Sequence, residues 1–357
     1  MAVQTPFLAN QPPWLISRRA DFWLAGAGAS VALLVALLIV FWHGDRELDW
    51  LDLVLSEFHL GATYGAIIRR RLWRHRQVDV LLIPAFILAL TYVLAMTGQT
   101  LWLTSIAMYA AVWHRGRQSF GVARFYQHQV GGPVSHAHDV LFRGAIYLPM
   151  LAGTLAYTCL APVEYDGEPY FALTIGAETT SLIGVAAALW VTAYVSWTLL
   201  QSRAARMIDG TQIPSPQVHP AERWVVLAHT VAFGAGYVLG AANASFLFVL
   251  AVHHEVQYLY FTYAMARRLQ RFHAQNKAEI DGATRSVEAQ SSWQGGSAVR
   301  AELKHAASFL VWPVIGFVGA MSGAWLELAW LAPLGMGGLF CHYWLDGRIW
   351  TRQSFQK

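Results

Sequence analysis

The feature that most constrains this chain is an apolar run of about 20 residues that recurs from one end to the other. Ten such runs fall at roughly 23–42, 49–68, 78–98, 100–122, 140–161, 180–201, 224–243, 246–266, 306–325 and 328–347. A helix of that length crosses the hydrocarbon core of a bilayer. Hydrocarbon offers no partner to the backbone, so each N–H and C=O must be satisfied within the protein, which favours helices over irregular chain. The expected class is therefore an all-α integral membrane protein with about ten transmembrane helices. Composition agrees: 13% of the 357 residues are charged and 56% hydrophobic, against roughly 25% charged in a soluble domain.

Charge placement orients these runs. With both termini cytoplasmic, the inner loops hold Arg69, Arg70, Arg71, Arg74, Arg76, Arg203, Arg206, Arg267, Arg268 and Arg271. Of the 25 Lys and Arg residues only Arg46 then faces outward, while Asp45, Glu47, Asp49, Glu164, Asp166 and Glu168 occupy outer loops. This is the asymmetry that sets membrane topology, and shifting the count by one helix would destroy it. The pI near 9.1 follows from basic loops that orient the chain and meet anionic lipid, and requires no nucleic-acid partner. The N-terminus lacks the pattern of a cleavable signal. Cys159 and Cys341 fall at different depths and form neither a disulfide framework nor a zinc pattern. The expected location is a plasma membrane, the inner membrane of a bacterium.

The expected organisation is a cytoplasmic segment at 1–22, an eight-helix membrane block at 23–268, a polar cytoplasmic linker at 269–304, and a final helical pair with a short tail at 305–357. A shorter loop at 127–139, QHQVGGPVSHAHD, is rich in histidine and glycine.

Polar residues inside the runs carry the functional signal. His59, His114, His229, His253, His254 and His342 all fall within expected spans or at their ends. Ionisable side chains at that depth are rare, and they normally face a bundle interior, a cavity or a partner. Three runs repeat one local design. WHRGRQ sets His114 and Gln118 four residues apart; HHEVQ sets His253 four and His254 three residues from Gln257; HYWLD sets His342 and Asp346 four apart. Residues at i and i+4 share a helical face, so each helix presents a histidine with a polar companion one turn on. SEFH adds Glu57 and His59.

Neutral imidazoles ligate iron, zinc and copper, and carboxylates complete such sites. The expected ligands are His253, His254 and His342, then His59 and His114, with Asp346 as a further ligand. Gln118, Gln257 and His229 are expected to orient the ligand rings. Glu57 or Glu255 is expected to serve as a bridging or proton-handling carboxylate. The competing reading of each single histidine is a hydrogen bond to a neighbouring helix, and His114, beside Arg115, also fits a solvated interface. His128, His136 and His138 read as solvated loop residues or as a lid, and His219 as a surface residue. Tyr258, Tyr260, Phe261 and Tyr343 can line a pocket for a lipophilic substrate or simply pack the core.

The blocks WHRGRQSFGVARFY, HHEVQYLYFTYAMARR and HYWLDGRIWTR resemble blocks of bacterial polytopic membrane proteins. In design they are similar to histidine-rich membrane non-haem iron enzymes: the fatty-acid desaturase and hydroxylase superfamily, and the carotenoid-cleaving dioxygenases related to bacteriorhodopsin biosynthesis. The resemblance implies imidazole-bound iron on membrane helices. The chain has neither the HxxxH nor the HxxHH box of desaturases, so no ligand is carried over by position.

The expected function is a membrane metalloenzyme, a non-haem iron oxygenase or hydroxylase with one or two iron ions. It would act on a lipid or other hydrophobic substrate, with electrons from an external donor because no nucleotide or flavin motif is present. Copper or zinc are alternative metals. The alternative functions are a haem b electron-transfer protein, non-covalent because there is no CxxCH, a proton-coupled transporter, or a structural subunit of a membrane complex. For topology, we expect a periplasm-dependent reporter inserted after Asp166 to be active and a cytoplasm-dependent reporter fused after Lys357 to be active. Activity of the reverse pair would overturn the ten-helix arrangement.

Overall fold

A computed structural model of the chain describes residues 14–42, 46–160, 164–165, 168–173, 175–207, 218–280, 310–311, 314 and 332–349. These residues are almost entirely helical, as the apolar runs require. Residues 1–13, most of the run at 306–325, residues 281–304 of the linker and the tail after 349 lie outside them.

A single turn, α1 (Arg18–Asp21), continues through a π-helical segment, Phe22–Ala27, into α2 (Gly28–Trp42). α3 is Arg46–Arg69. A second π-helical segment, Val78–Leu82, opens into α4 (Ile83–Met96). Next come α5 (Thr100–Gln129) and α6 (His136–Leu160). A two-residue antiparallel pairing, β1 (Glu164–Tyr165) with β2 (Glu168–Pro169), follows. α7 (Ala177–Met207), α8 (Pro220–Gly240), α9 (Phe248–Ile280) and α10 (Ala332–Ile349) complete the described helices.

Among the described residues, three segments are long and apolar enough to cross a membrane: Val78–Met96, His136–Leu160 and Ala177–Ser202. On α4 and α7 the large apolar side chains point outward, with Phe86 66% and Leu182 70% exposed. The other expected runs that are described also form helices, but buried polar residues interrupt their apolar character. α3 and α9 carry His59, Thr63, His253, His254, Glu255 and Gln257, all buried.

α5 and α9 run furthest past the expected ends. α5 extends to Gln129, and α9 extends to Ile280, into the stretch expected to be linker. Hydropathy falls at these ends, but the residues there remain good helix formers, so the helix outlasts the apolar run. The loop expected at 127–139 therefore shrinks to 130–135. It turns through Gly131 and Gly132, whose φ values of 97° and 107° a side chain would strain.

α9 packs against α2 and α3, α10 against α3, α4 and α5, and α6 against α7 and α8. Pro149 inside α6 removes one helical N–H. In the turn before it, the carbonyl of Ile146 accepts a hydrogen bond from His229 Nε2 of α8, at 2.8 Å. One turn on, a Cβ at Gly153 would lie 2.4 Å from the Phe233 carbonyl oxygen, so glycine permits the close crossing of α6 and α8.

Residues 14–17, which lead into α1, are tucked into the bundle. Asp21, fully buried, accepts from the backbone N–H of Leu15 at 2.8 Å and of Ile16 at 3.1 Å. It also accepts from Tyr126 of α5 at 2.8 Å, and from Tyr260 of α9. Arg268 donates to the carbonyls of Trp14 and Leu15. His219, expected at the surface, is 2% exposed. It caps α8 by accepting from Ala221 N–H and lies between Trp14 and Tyr126. Trp14, in the strap formed by residues 14–17, helps to cover it.

Replacing Asp21 by Ala leaves two hydroxyls and two backbone N–H groups without their acceptor. We expect a loss of about 3–5 kcal/mol, read as a lowered unfolding temperature in detergent, with a smaller loss for Asp21→Asn.

Candidate metal centre

Four helices each place one histidine at a common point: His59 on α3, His114 on α5, His254 on α9 and His342 on α10. They are 2%, 8%, 6% and 2% exposed. Each offers one ring nitrogen, and the four nitrogens lie within 4.8 Å of one another. The rings form a closed cycle. Centroids are 4.4 Å apart for His59–His342, 4.8 Å for His342–His114, 4.8 Å for His114–His254 and 4.5 Å for His254–His59. His59 and His114 face each other across it at 6.2 Å.

Asp346 lies one turn beyond His342. Its Oδ2 is 3.5 Å from His342 Nε2, 3.6 Å from His114 Nε2 and 3.8 Å from His59 Nε2. This near-equal spacing places the carboxylate oxygen over a triangle of three imidazole nitrogens. Its other oxygen, Oδ1, accepts from the hydroxyls of Thr63 at 2.9 Å and Tyr258 at 2.6 Å. Thr63 Oγ1 is also 2.9 Å from His342 Nδ1 and 2.6 Å from the Tyr258 hydroxyl. The Tyr258 ring stacks on His59 with centroids 4.1 Å apart, and the Tyr343 ring lies 4.5 Å from His114.

The donor chemistry suits a transition-metal ion. His59 Nε2, His114 Nε2 and His254 Nδ1 are buried with no hydrogen-bond partner among the described residues. An orphaned buried polar atom costs about 1–3 kcal/mol, and three in one cluster point to a shared missing partner. Imidazoles that turn lone pairs toward one another cannot satisfy one another, whereas a cation satisfies all of them together. Four imidazoles with a carboxylate form a set that suits iron, zinc or copper.

The other residues expected at the site are distributed around this group. His253 is buried but stands apart: its Nε2 lies 3.3 Å from Ser119 Oγ, and its ring 6.5 Å from that of His229. Adjacent helical residues diverge by about 100°, so only one of the His253–His254 pair can face the group. His229 bonds the Ile146 carbonyl and lies outside the group. Gln118 donates to the backbone carbonyl of His254 at 2.7 Å and to Gln257 Oε1 at 3.3 Å, and Gln257 donates to the Ala25 carbonyl at 3.2 Å. These glutamines brace α9 against α5 and the π-helical segment Phe22–Ala27, and among the described residues neither bonds a ligand ring. Glu255 is buried and accepts from Ser56 of α3. Glu57 is half-buried, two residues from His59 and so turned to another face. Neither carboxylate belongs to the four-histidine group.

Two features escaped sequence reasoning. Thr63 follows His59 at the same i+4 spacing as the other companions, yet a helical threonine ordinarily bonds its own backbone and gives no signal. The second is a separate buried network around Glu222. Its Oε1 accepts from His138 at 2.7 Å, Gln127 at 2.9 Å and Tyr194 at 2.8 Å. His138, expected in a loop, is fully buried on α6, while His136 is exposed and His128 half-buried. None of the three belongs to the group of four.

No family model, curated protein or solved structure matches the chain. The reading of the centre therefore rests on its own geometry. We expect His254→Ala to cut metal retention at least roughly tenfold and His253→Ala to leave it near that of the parent, by elemental analysis of purified protein. Equal losses in the two variants would contradict the separation of these neighbours.

Proposed function

We propose that this chain is an integral membrane metalloprotein of about ten spans with both termini cytoplasmic, and that the four-histidine group holds one iron ion for oxidation of a lipophilic substrate. The observation that carries this reading is the convergence of four buried ring nitrogens within 4.8 Å. That spacing suits one ion rather than two. The outward apolar faces of α4 and α7 support a lipid environment, since soluble proteins rarely expose large side chains such as Phe86 and Leu182 side by side with their like.

Iron held by His59, His114, His254 and His342 would supply dioxygen activation. The protein's own part is positional. α3, α5, α9 and α10 carry the imidazoles on opposed faces, and their apolar surroundings keep water from the centre. Asp346 sets a negative charge beside three of the rings. Tyr343, against His114, offers an aromatic wall for a hydrophobic substrate. Electrons come from a separate donor, and the bacterial inner membrane is the proposed location.

A haem fits this group poorly. The opposed pair, His59 and His114 at 6.2 Å, has His254 and His342 each within 4.4–4.8 Å of both rings, where a porphyrin would have to lie.

Metal analysis and an optical spectrum of detergent-purified protein test the reading. We expect about one equivalent of iron and no Soret band, with the iron lost in a His254→Ala/His342→Ala double variant. A Soret band, or a folded preparation that binds no metal, would falsify it; zinc as the resident ion would exclude the oxygenase chemistry.

A further inference from the structure

We propose that Thr63 is a positioning residue of the metal centre: its hydroxyl fixes the ligand tautomer of His342 and the aim of Asp346. This rests on the metal reading above and assigns a role that the spacing of the histidines does not.

The argument is one of proton bookkeeping. Thr63 is fully buried, and its hydroxyl touches three groups: Asp346 Oδ1 at 2.9 Å, the Tyr258 hydroxyl at 2.6 Å and His342 Nδ1 at 2.9 Å. It has one proton to give and two lone pairs with which to accept. Beside a cation Asp346 is a carboxylate and only accepts. If Thr63 gave its proton to His342, its oxygen would face both the carboxylate oxygen at 2.9 Å and the Tyr258 oxygen at 2.6 Å with no hydrogen in either contact, since Tyr258 donates to Asp346. That arrangement is repulsive. Kept among the three oxygens, the proton fills a second of their contacts, and with both hydroxyls donating to Asp346 Oδ1 it goes to the carboxylate.

That leaves Thr63 as an acceptor toward His342, so Nδ1 of that ring carries the hydrogen. Nε2 then keeps its lone pair, on the side facing Asp346 Oδ2 at 3.5 Å, the oxygen that also lies 3.6 Å from His114 Nε2 and 3.8 Å from His59 Nε2. The opposite tautomer would point N–H into the centre and block ligation. With Oδ1 of Asp346 held by two hydroxyls, Oδ2 is left aimed at the imidazoles.

The behaviour of other threonines in these helices sharpens the case. Thr97, Thr104, Thr154, Thr192 and Thr230 each donate to the carbonyl four residues back. This is the ordinary fate of a helical hydroxyl. Thr63 instead directs its hydroxyl across the bundle to side chains of α9 and α10.

The test uses the full chain in detergent, stripped of metal and titrated with Co(II) as the probe. Affinity is read by competition with a chelator, and the ligand field by the visible cobalt bands. Thr63→Val keeps the shape and removes the hydroxyl; Thr63→Ser keeps the hydroxyl. We expect the valine variant to bind roughly 10–100-fold more weakly, with shifted cobalt bands, and the serine variant to restore both. A merely structural role would alter the metal-free unfolding temperature without this split in affinity and spectrum. If the valine variant does not fold, Thr63→Ala carries the same expectation. Parent-like affinity and spectrum in the hydroxyl-less variant, or equal weakening in the serine variant, overturns the proposal. A parent protein that binds no Co(II) brings down the metal reading itself, an outcome distinct from either.

Discussion

The structure depends on a single constraint: a polar side chain removed from water must find a partner. Four imidazoles and a carboxylate sit in the interior of a helical bundle whose outer helices are strongly apolar. Leaving them unmatched would cost more than a bundle can easily absorb. The described helices that most resemble simple membrane spans, around Val78–Met96, His136–Leu160 and Ala177–Ser202, contribute no residue to the four-histidine group. α3, α5, α9 and α10 hold the group and read as less apolar for that reason. Polarity that lowers a helix's hydropathy is what gives the interior its chemistry.

α5 ties the polar interior together. Over one 30-residue helix it supplies His114 to the metal centre, Tyr126 to Asp21, and Gln127 to Glu222. These are successive levels of one rod, and 12 residues of helix from His114 to Tyr126 span about 18 Å. The network at Asp21 fastens the N-terminal strap to α5 and α9, and the network at Glu222 joins α5 to α6, α7 and α8. Each carboxylate collects donors from several helices, so each fixes relative placement as well as satisfying buried groups. A centre that must hold four rings within a few ångströms needs such fixed placement.

The i,i+4 companions are shared across helices rather than kept by their own histidines. Thr63 follows His59 but bonds His342; Tyr258 follows His254 but stacks on His59 and bonds Asp346; Asp346 follows His342 and faces His59 and His114 as well. Gln118 departs from the pattern, bonding the main chain of α9. Local spacing thus sets the two layers of the centre, and helix packing decides which member of one layer serves which member of the other.

The sequence by itself determined the class of structure and most of the cast. Apolar runs imposed helices because buried backbone must pair internally, and histidines at helical spacing marked His59, His114, His254, His342 and Asp346 as candidates. What only the tertiary structure decided was rotation and partnership. His253 and His254 are adjacent and chemically identical, and the roll of α9 about its axis turns His254 to the group and His253 to Ser119. Thr63 looks like any helical threonine until α9 and α10 bring Tyr258 and Asp346 against it. His138 and His219 resemble loop residues until Glu222 and the N-terminal strap enclose them. Periodicity is a property of one helix, and a coordination sphere is a property of four. The angles between those helices are set by packing contacts remote in sequence, where no local pattern records them.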